Sequence, residues 1–369
     1  MAKAEKIKNK GYLKMKNKKV LIIAIVAVVV IAAVVLGVVL LGGNKEKEYK
    51  LGMGVVVSLD SSKTGTAQID ATVATVVLDA EGKIVACRID VAQNKITLDA
   101  TGAFTVGDLR TKMEKGSDYG MATSQWSSDN NGDGKILEWN EQAKIFEKHV
   151  VGMTVAEVKA MKTKEVNDHN ISADDALLNA GCTIDIVAFK DAVVKACNDE
   201  QGMTFKTAGE VTLGLGINSY DDGSLAATAD KNGTVKVYSD MAASAVVDGK
   251  IVASLNDAIQ PTVEFTVAGE IGTKTFKGTK RELKEGYTMS TSQWSSDNDG
   301  DGRILEWYLQ SAEFSKYVVG MTGAQVKDMP TKSLNDHDVS ADDVLIKAGC
   351  TIQISGIKAV VAESVANAR

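Results

Sequence analysis

Apolar positions along this chain follow three patterns in turn. From Val20 to Leu41 they are unbroken, 22 residues without a polar side chain, which predicts a helix long enough to span a hydrocarbon core. Next come short β-branched runs facing each other across turns. TVATVVLD, Glu81-Gly82 and KIVACRIDV read as one hairpin; MAASAVV, Asp248-Gly249 and KIVASLND read as a second, with Asp-Gly the stronger turn signal. After each hairpin the spacing becomes helical. Ile136, Trp139, Ala143, Phe146 and Val150 mark the buried face of a helix that Gly152 ends. Thr154 with Glu157, and Thr322 with Gln325, form capping boxes for a second short helix. Ser172 with Asp175, and Ser340 with Asp343, cap a third that stops at Gly181 or Gly349. CTIDIVAF and CTIQISGI predict a strand, and a C-terminal helix closes each copy. Strands followed by helices predict α+β architecture.

The patterns come twice because the sequence does. Residues 123–139 read TSQWSSDNNGDGKILEW and residues 291–307 read TSQWSSDNDGDGRILEW; fifteen of the seventeen positions are identical, and all four tryptophans lie here. The offset of 168 holds without gaps from Thr111/Thr279 to Thr183/Thr351, matching Tyr119 to Tyr287, His169 to His337 and Cys182 to Cys350. Upstream, Gly82-Lys83-Ile84 matches Gly249-Lys250-Ile251 one residue out of phase. A period this long means duplicated domains and not a solenoid. The expected class is α+β: a single N-terminal transmembrane helix followed by two homologous tandem α+β domains. The expected segments are a basic tail at 1–19, an anchor at 20–41, a charged tether at 42–50, and repeats at 51–205 and 206–369.

Charge fits that order. The net charge is −6, yet residues 1–19 hold eight lysines and one glutamate, about +7, leaving about −13 for the rest. Lys14, Lys16, Lys18 and Lys19 flank the apolar run, so the positive-inside rule puts the tail in the cytoplasm and the repeats outside, in a single-pass cell-membrane protein. A cleaved signal peptide is the alternative, but the run exceeds an ordinary h-region and no A-x-A-like site follows. No cysteine sits where lipoprotein processing needs one. The acidic remainder excludes a nucleic-acid partner, because phosphate attraction needs a basic face.

Candidate chemistry centres on the duplicated stretch. Asp129, Asn131 and Asp133, then Asp297, Asp299 and Asp301, place side-chain oxygens on alternate residues of a loop closed by glycine, the arrangement that offers hard ligands to Ca2+. Lys135 and Arg303 would add backbone carbonyls. Position 12 of such a loop is Asn140 or Tyr308, not a bidentate glutamate, so Glu138 and Glu306 are the expected closing ligands of a shortened loop. Two calcium sites are expected, one per repeat, with a structural role. An Asx-rich turn without an ion is the plainer reading, but three adjacent carboxylates, Asp297, Asp299 and Asp301, repel one another without a cation.

Other positions repeat as well. His169 and His337 are matched histidines, read as loop residues ahead of a capped helix. Asp90 and Gln93 match Asp257 and Gln260; with Lys112/Lys280 and Tyr119/Tyr287 they could line a polar pocket, although a solvated sheet edge is the simpler expectation. Cys87 and Cys197 have no partner in the second copy, so the cysteines read as small buried apolar residues and not a disulfide framework. There is no GxSxG, Walker loop, HExxH or Cys/His dyad.

The loop Asp129-x-Asn131-x-Asp133-Gly134-x-Ile136 resembles EF-hand and dockerin calcium loops. Glu138-Trp139…Gln142, Glu306-Trp307…Gln310, the Val-Val-Gly-Met-Thr runs at 150–154 and 318–322, D-G-K-I-V-A at 248–253 and K-R-E-L-K-E at 280–285 resemble uncharacterised membrane-anchored tandem-domain surface proteins of anaerobic Gram-positive bacteria. That resemblance carries no activity with it; the anchor and the two similar domains in one chain point to a cell-surface binding or structural role with an extracellular ligand or partner. The DGKI hairpin is similar to that of extracellular FMN-binding domains. Asp99-Ala100-Thr101-Gly102-Ala103 fits the start of their flavin-attachment motif, with Phe104 at the acceptor position, so FMN-dependent electron transfer is the alternative function.

Overall fold

Alternating and β-branched residues carry the chain into sheet from Lys47 onward. In the first repeat β1 (Lys47–Ser58), β2 (Thr66–Asp79), β3 (Ile84–Leu98) and β4 (Phe104–Val106) form an antiparallel meander. There follow α1 (Lys112–Lys115), α2 (Trp139–His149), α3 (Val155–Ala160), a small hairpin of β5 (Thr163–Val166) and β6 (His169–Ser172), then α4 (Asp175–Asn179) and α5 (Val187–Cys197). β7 (Met203–Thr207) returns to pair with β1, giving the order β4-β3-β2-β1-β7. The second repeat rebuilds this with β8 (Thr212–Asp221), β9 (Gly233–Val247), β10 (Lys250–Ile259), β11 (Thr262–Phe265) and β12 (Ile271–Thr275). Its helical half comprises α6 (Lys280–Leu283), α7 (Trp307–Tyr317), α8 (Gly323–Lys327), the hairpin β13 (Thr331–Leu334) with β14 (His337–Ser340), α9 (Asp343–Lys347) and α10 (Ser355–Ala366). Strands β10 and β11 lie end to end along β9, interrupted at Pro261, which has no N–H for a ladder. The computed structural model describes residues 45–124, 129, 131–166, 168–291, 300, 302–334 and 337–369.

Each repeat lays its last helix across its own sheet. Helix α5 crosses β1 and β2, and α10 crosses β8 and β9. The approach is close because glycines stand beneath the helices. A Cβ on Gly54 would sit 2.2 Å from the Ala192 carbonyl oxygen, and one on Gly216 would sit 2.4 Å from that of Val360. The opposite faces of the two sheets meet each other. Leu51, Val55, Val73 and Val77 share one apolar core with Leu213, Leu215, Met241 and Ala243. A second shared core joins Ile69 and Ile96 to Val235, Val263 and Phe265. The contacts are reciprocal: β3 touches β8, and their counterparts β10 and β1 touch in turn, as across a twofold interface. Lys47–Arg369 is therefore one unit of four layers, helices outside and two sheets within.

Several expectations need correction. The α+β class describes the chain, but the transmembrane helix in that class does not: among the described residues no helix is long and apolar enough to cross a membrane. The longest, α10, has 12 residues, whereas a span needs about 20. Residues 20–41 and the basic tail at 1–19 lie outside the described residues. Lys47–Lys50 of the expected tether is instead the start of β1, because Lys47–Leu51 pairs with Met203–Thr207. The third helix is capped by Asp174 and Asp342, whose side chains accept from Ala176 and Val344 N–H, while Ser172 Oγ accepts from Asp174 N. The strand expected from CTIDIVAF is a turn and the first turn of α5. There the Asp185 carboxylate accepts from Val187 N at 2.9 Å and Asn170 N at 2.8 Å, and Phe189, Ala192, Val193 and Ala196 bury one helical face. All four cysteines are free and buried.

Candidate functional site

Two short helices with visible caps position the central residue of each site. Thr111 Oγ1 accepts from Glu114 N at 3.1 Å and Glu114 returns the bond to Thr111 N at 2.6 Å, fixing α1 and therefore Lys112. Thr279 and Glu282 do the same for Lys280. From the strand beneath, Asp90 Oδ1 accepts from Val91 N at 2.7 Å and Met113 N at 3.0 Å; Asp257 Oδ1 accepts from Ala258 N at 2.8 Å and Arg281 N at 3.0 Å. These two aspartates are buried supports of the site and do not line it.

Burial pushes the Asp90 carboxyl up to about 7 and that of Asp257 to about 6, against an ordinary 3.8, with hydrogen bonds opposing the rise. Both groups hold their protons more tightly folded than unfolded. The stability they contribute is complete below pH 3.8 and is lost as pH rises through 6 to 7. Together these two groups should cost the chain about 4 kcal/mol of stability between pH 5 and pH 8. Asp90→Asn, which keeps the Oδ1 acceptor, should flatten that slope. Calorimetry showing greater stability at pH 8 than at pH 5 would contradict this.

Around each lysine the folded repeat builds a pocket of about 460 Å³ in the first copy and about 340 Å³ in the second. Tyr119 donates to Gln93 Oε1 at 3.3 Å and Tyr287 donates to Gln260 Oε1 at 3.0 Å, so the rings are held alike. Lys112 Nζ lies 4.8 Å from the Tyr119 ring centre and 5.4 Å from that of Trp139. Lys280 Nζ lies 4.6 Å from Tyr287, 4.9 Å from Tyr238 and 5.1 Å from Trp307. Gln142 and Gln310 close the back. Each accepts from the backbone N–H of Thr183 or Thr351 at 2.8 Å and donates to the carbonyl of Leu137 or Leu305, locking the tryptophan-bearing helix to the turn before the last helix. His169 and His337 stand at the exposed rims. The polar-pocket reading of Gln93, Lys112 and Tyr119 thus describes the fold better than a solvated sheet edge.

The pockets differ on the strand side. The strand registers make Ser58, Asp70 and Thr72 the counterparts of Tyr220, Tyr238 and Asp240. The second pocket therefore has two stacked tyrosines, 5.1 Å apart at 17°, and an acid. The first is lined by a second lysine, Lys95, and by Asp185, where the other copy has Gln353. Lys280 is only 6% exposed. Burial pulls its ammonium down to about 8 while Asp240 and Asp257 hold it up, so it stays charged at neutral pH. Burial likewise lifts Asp240 to about 6 against the pull of Lys280.

No family model, curated protein or solved structure matches this chain.

Of the residues expected to bind calcium, Asp129, Asn131, Asp133, Lys135, Glu138, Arg303 and Glu306 are described. The loop winds about Asp129, whose carboxylate accepts from Gly132, Asp133 and Gly134 N–H, and Asp133 Oδ1 accepts from Lys135 N. Asn131 Nδ2 bridges Asp133 Oδ2 and the Leu178 carbonyl. Glu138 does not close this loop: its carboxylate turns to Met121 N at 2.8 Å and Ala122 N at 3.2 Å. Glu306 makes the same bonds to Met289 N and Ser290 N. Among the described residues no group of three or more acidic, histidine or cysteine side chains converges to hold a metal. The Lys135 and Arg303 side chains are exposed. Asp297, Asp299 and Asp301 lie outside the described residues, as do Trp126 and Trp294. The Asp99–Ala103 stretch is the turn between β3 and β4, with Asp99 Oδ1 accepting from Thr101 N, Thr101 Oγ1 and Ala103 N; neither it nor Phe104 lines either lysine pocket.

Proposed function

We propose that this chain is a binding protein with two homologous small-molecule sites, one per repeat, each gripping an anionic group of its ligand. The observation that carries this reading is the lysine at the centre of each pocket. Among the described residues neither Lys112 nor Lys280 has a carboxylate within 4.0 Å or a hydrogen-bond acceptor, though both face cavities. Lys280 is buried and Lys112 half-buried; an ammonium taken out of water without an acceptor is costly, most of all for Lys280, and aromatic faces offset only part of that cost, about 0.5–2 kcal/mol. A carboxylate or phosphate entering the pocket would complete its bonding. The tryptophan, tyrosine and isoleucine walls suit an apolar or flat body behind the anion. The proposal keeps the binding role expected from the sequence and requires neither calcium nor flavin.

The test is thermal-shift and calorimetric titration of the chain with mono- and dicarboxylates and inorganic phosphate. A ligand present at about a hundred times its Kd should stabilise by about 2.7 kcal/mol. Lys112→Met with Lys280→Met should abolish the response. An unchanged response in that double variant, or none in the parent chain, would overturn the proposal.

A further inference from the structure

The two pockets are not copies in chemistry, and the difference is built into the backbone. The Asp240 carboxylate packs directly on Gly356: a Cβ there would lie 2.2 Å from Asp240 Oδ2 and would force the carboxylate to turn away. In the first repeat the 240 position is Thr72 and the 356 position is Ala188, so acid and glycine are present or absent together. Asp240 is 5% exposed and lines the same cavity as Lys280, yet no ion pair joins them within 4.0 Å. Its carboxylate accepts a long hydrogen bond from the Tyr220 hydroxyl at 3.5 Å. The second pocket thus holds one buried cation and one buried anion, unjoined, and its lining also includes the stacked Tyr220 and Tyr238 and Asp222, which is paired with Lys236 at 2.8 Å.

We infer that the second pocket binds a zwitterion of the α-amino acid class, its carboxylate on Lys280 and its ammonium on Asp240, with the side chain against Trp307 and Ile352. This rests on the reading of both pockets as anion-gripping sites and extends it for one of them. Two opposite charges that are buried but unjoined are each better solvated by a ligand carrying both complements than by either charge alone. Tyrosine faces beside the acid add cation–π attraction for the ammonium. The first pocket has Lys95 and Lys112, Thr72 in place of the buried acid, and only the exposed Asp185, whose carboxylate already accepts from Val187 N and Asn170 N; it favours a plain anion.

The experiment uses the full chain carrying Lys112→Met, which silences the first pocket. It is titrated with the twenty common L-amino acids, and each one that binds is compared with its deaminated acid and its decarboxylated amine. The expected result is that at least one amino acid binds, at least tenfold more tightly than either analogue. Asp240→Asn should weaken the amino acid at least tenfold while leaving the deaminated acid within about twofold. Carboxylates binding the parent chain with no amino acid binding the second pocket would overturn this inference and leave two anion sites. So would a deaminated acid that binds as tightly as its amino acid. Failure of carboxylates, phosphate and amino acids alike would overturn both readings. Asp240→Asn should keep the parent unfolding midpoint, and loss of amino-acid binding by a variant with a lowered midpoint would count against the inference unless Asp240→Glu restored it.

Discussion

Replacing Asp199 with alanine should lower stability by about 3–5 kcal/mol, the cost of stranding one partner of a buried ion pair. Asp199 follows α5 of the first repeat, and Arg281 sits in α6 of the second. Each side chain is 8% exposed, and the guanidinium Nη2 meets the two carboxylate oxygens at 3.1 and 3.0 Å. The same nitrogen donates to the Gln201 carbonyl, and Asp199 Oδ2 also accepts from Met53 N at 3.1 Å. Alanine would leave a guanidinium out of water with one carbonyl, and a strand N–H without its acceptor. Urea unfolding of Asp199→Ala, Arg281→Met and the pair tests this. The double variant should be more stable than the sum of the single losses predicts, because no charge is left unpaired. A single-variant loss below about 1 kcal/mol would mean that water reaches the guanidinium.

Gly214→Ala should cost about 3 kcal/mol or more, beyond what a lone methyl group ordinarily does, because the obstacle is backbone. The new Cβ would lie 1.7 Å from the Ser364 carbonyl oxygen and 2.7 Å from its carbon, so α10 must lift off β8. That helix carries Gly356 and Ile357 into the wall of the second pocket, so ligand affinity there should fall together with stability while the first pocket keeps its own. Gly286→Ala is the control, since a Cβ there meets nothing within 4 Å. Equal midpoints for the two variants in urea would show that the helix yields freely.

Much of this was legible beforehand, and the parts that were not share a physical cause. Both hairpins and the helices at Trp139 and Trp307 follow from periodicity, because one face of each is buried in its own repeat. Strands β1 and β8 were missed: Leu51-Gly52-Met53-Gly54 puts glycine where a strand ordinarily shows a side chain, and the reason, a helix pressed onto that face, is tertiary. Helices α1 and α6, four residues each, are too short for periodicity, yet Thr111 with Glu114 and Thr279 with Glu282 spelled capping boxes. Glu138 lies beside the acidic loop in sequence, but its carboxylate accepts from N–H groups sixteen and seventeen residues upstream, a pairing that sequence proximity does not show. The pocket residues were visible as matched pairs, but Gln93 and Thr183 become neighbours of Lys112 only when the strands, α1 and the turn before α5 assemble.

The shared core between the sheets bears on how the two sites came to differ. Two separate, identical subunits docked through that face would be bound to carry the same pocket twice, since every change would appear in both. Fusion into a single polypeptide removes that constraint: Tyr238 and Asp240 stand opposite Asp70 and Thr72 with the common interior left intact. The molecule is a scaffold whose halves depend on each other for shelter from water while their outward cavities are free to specialise.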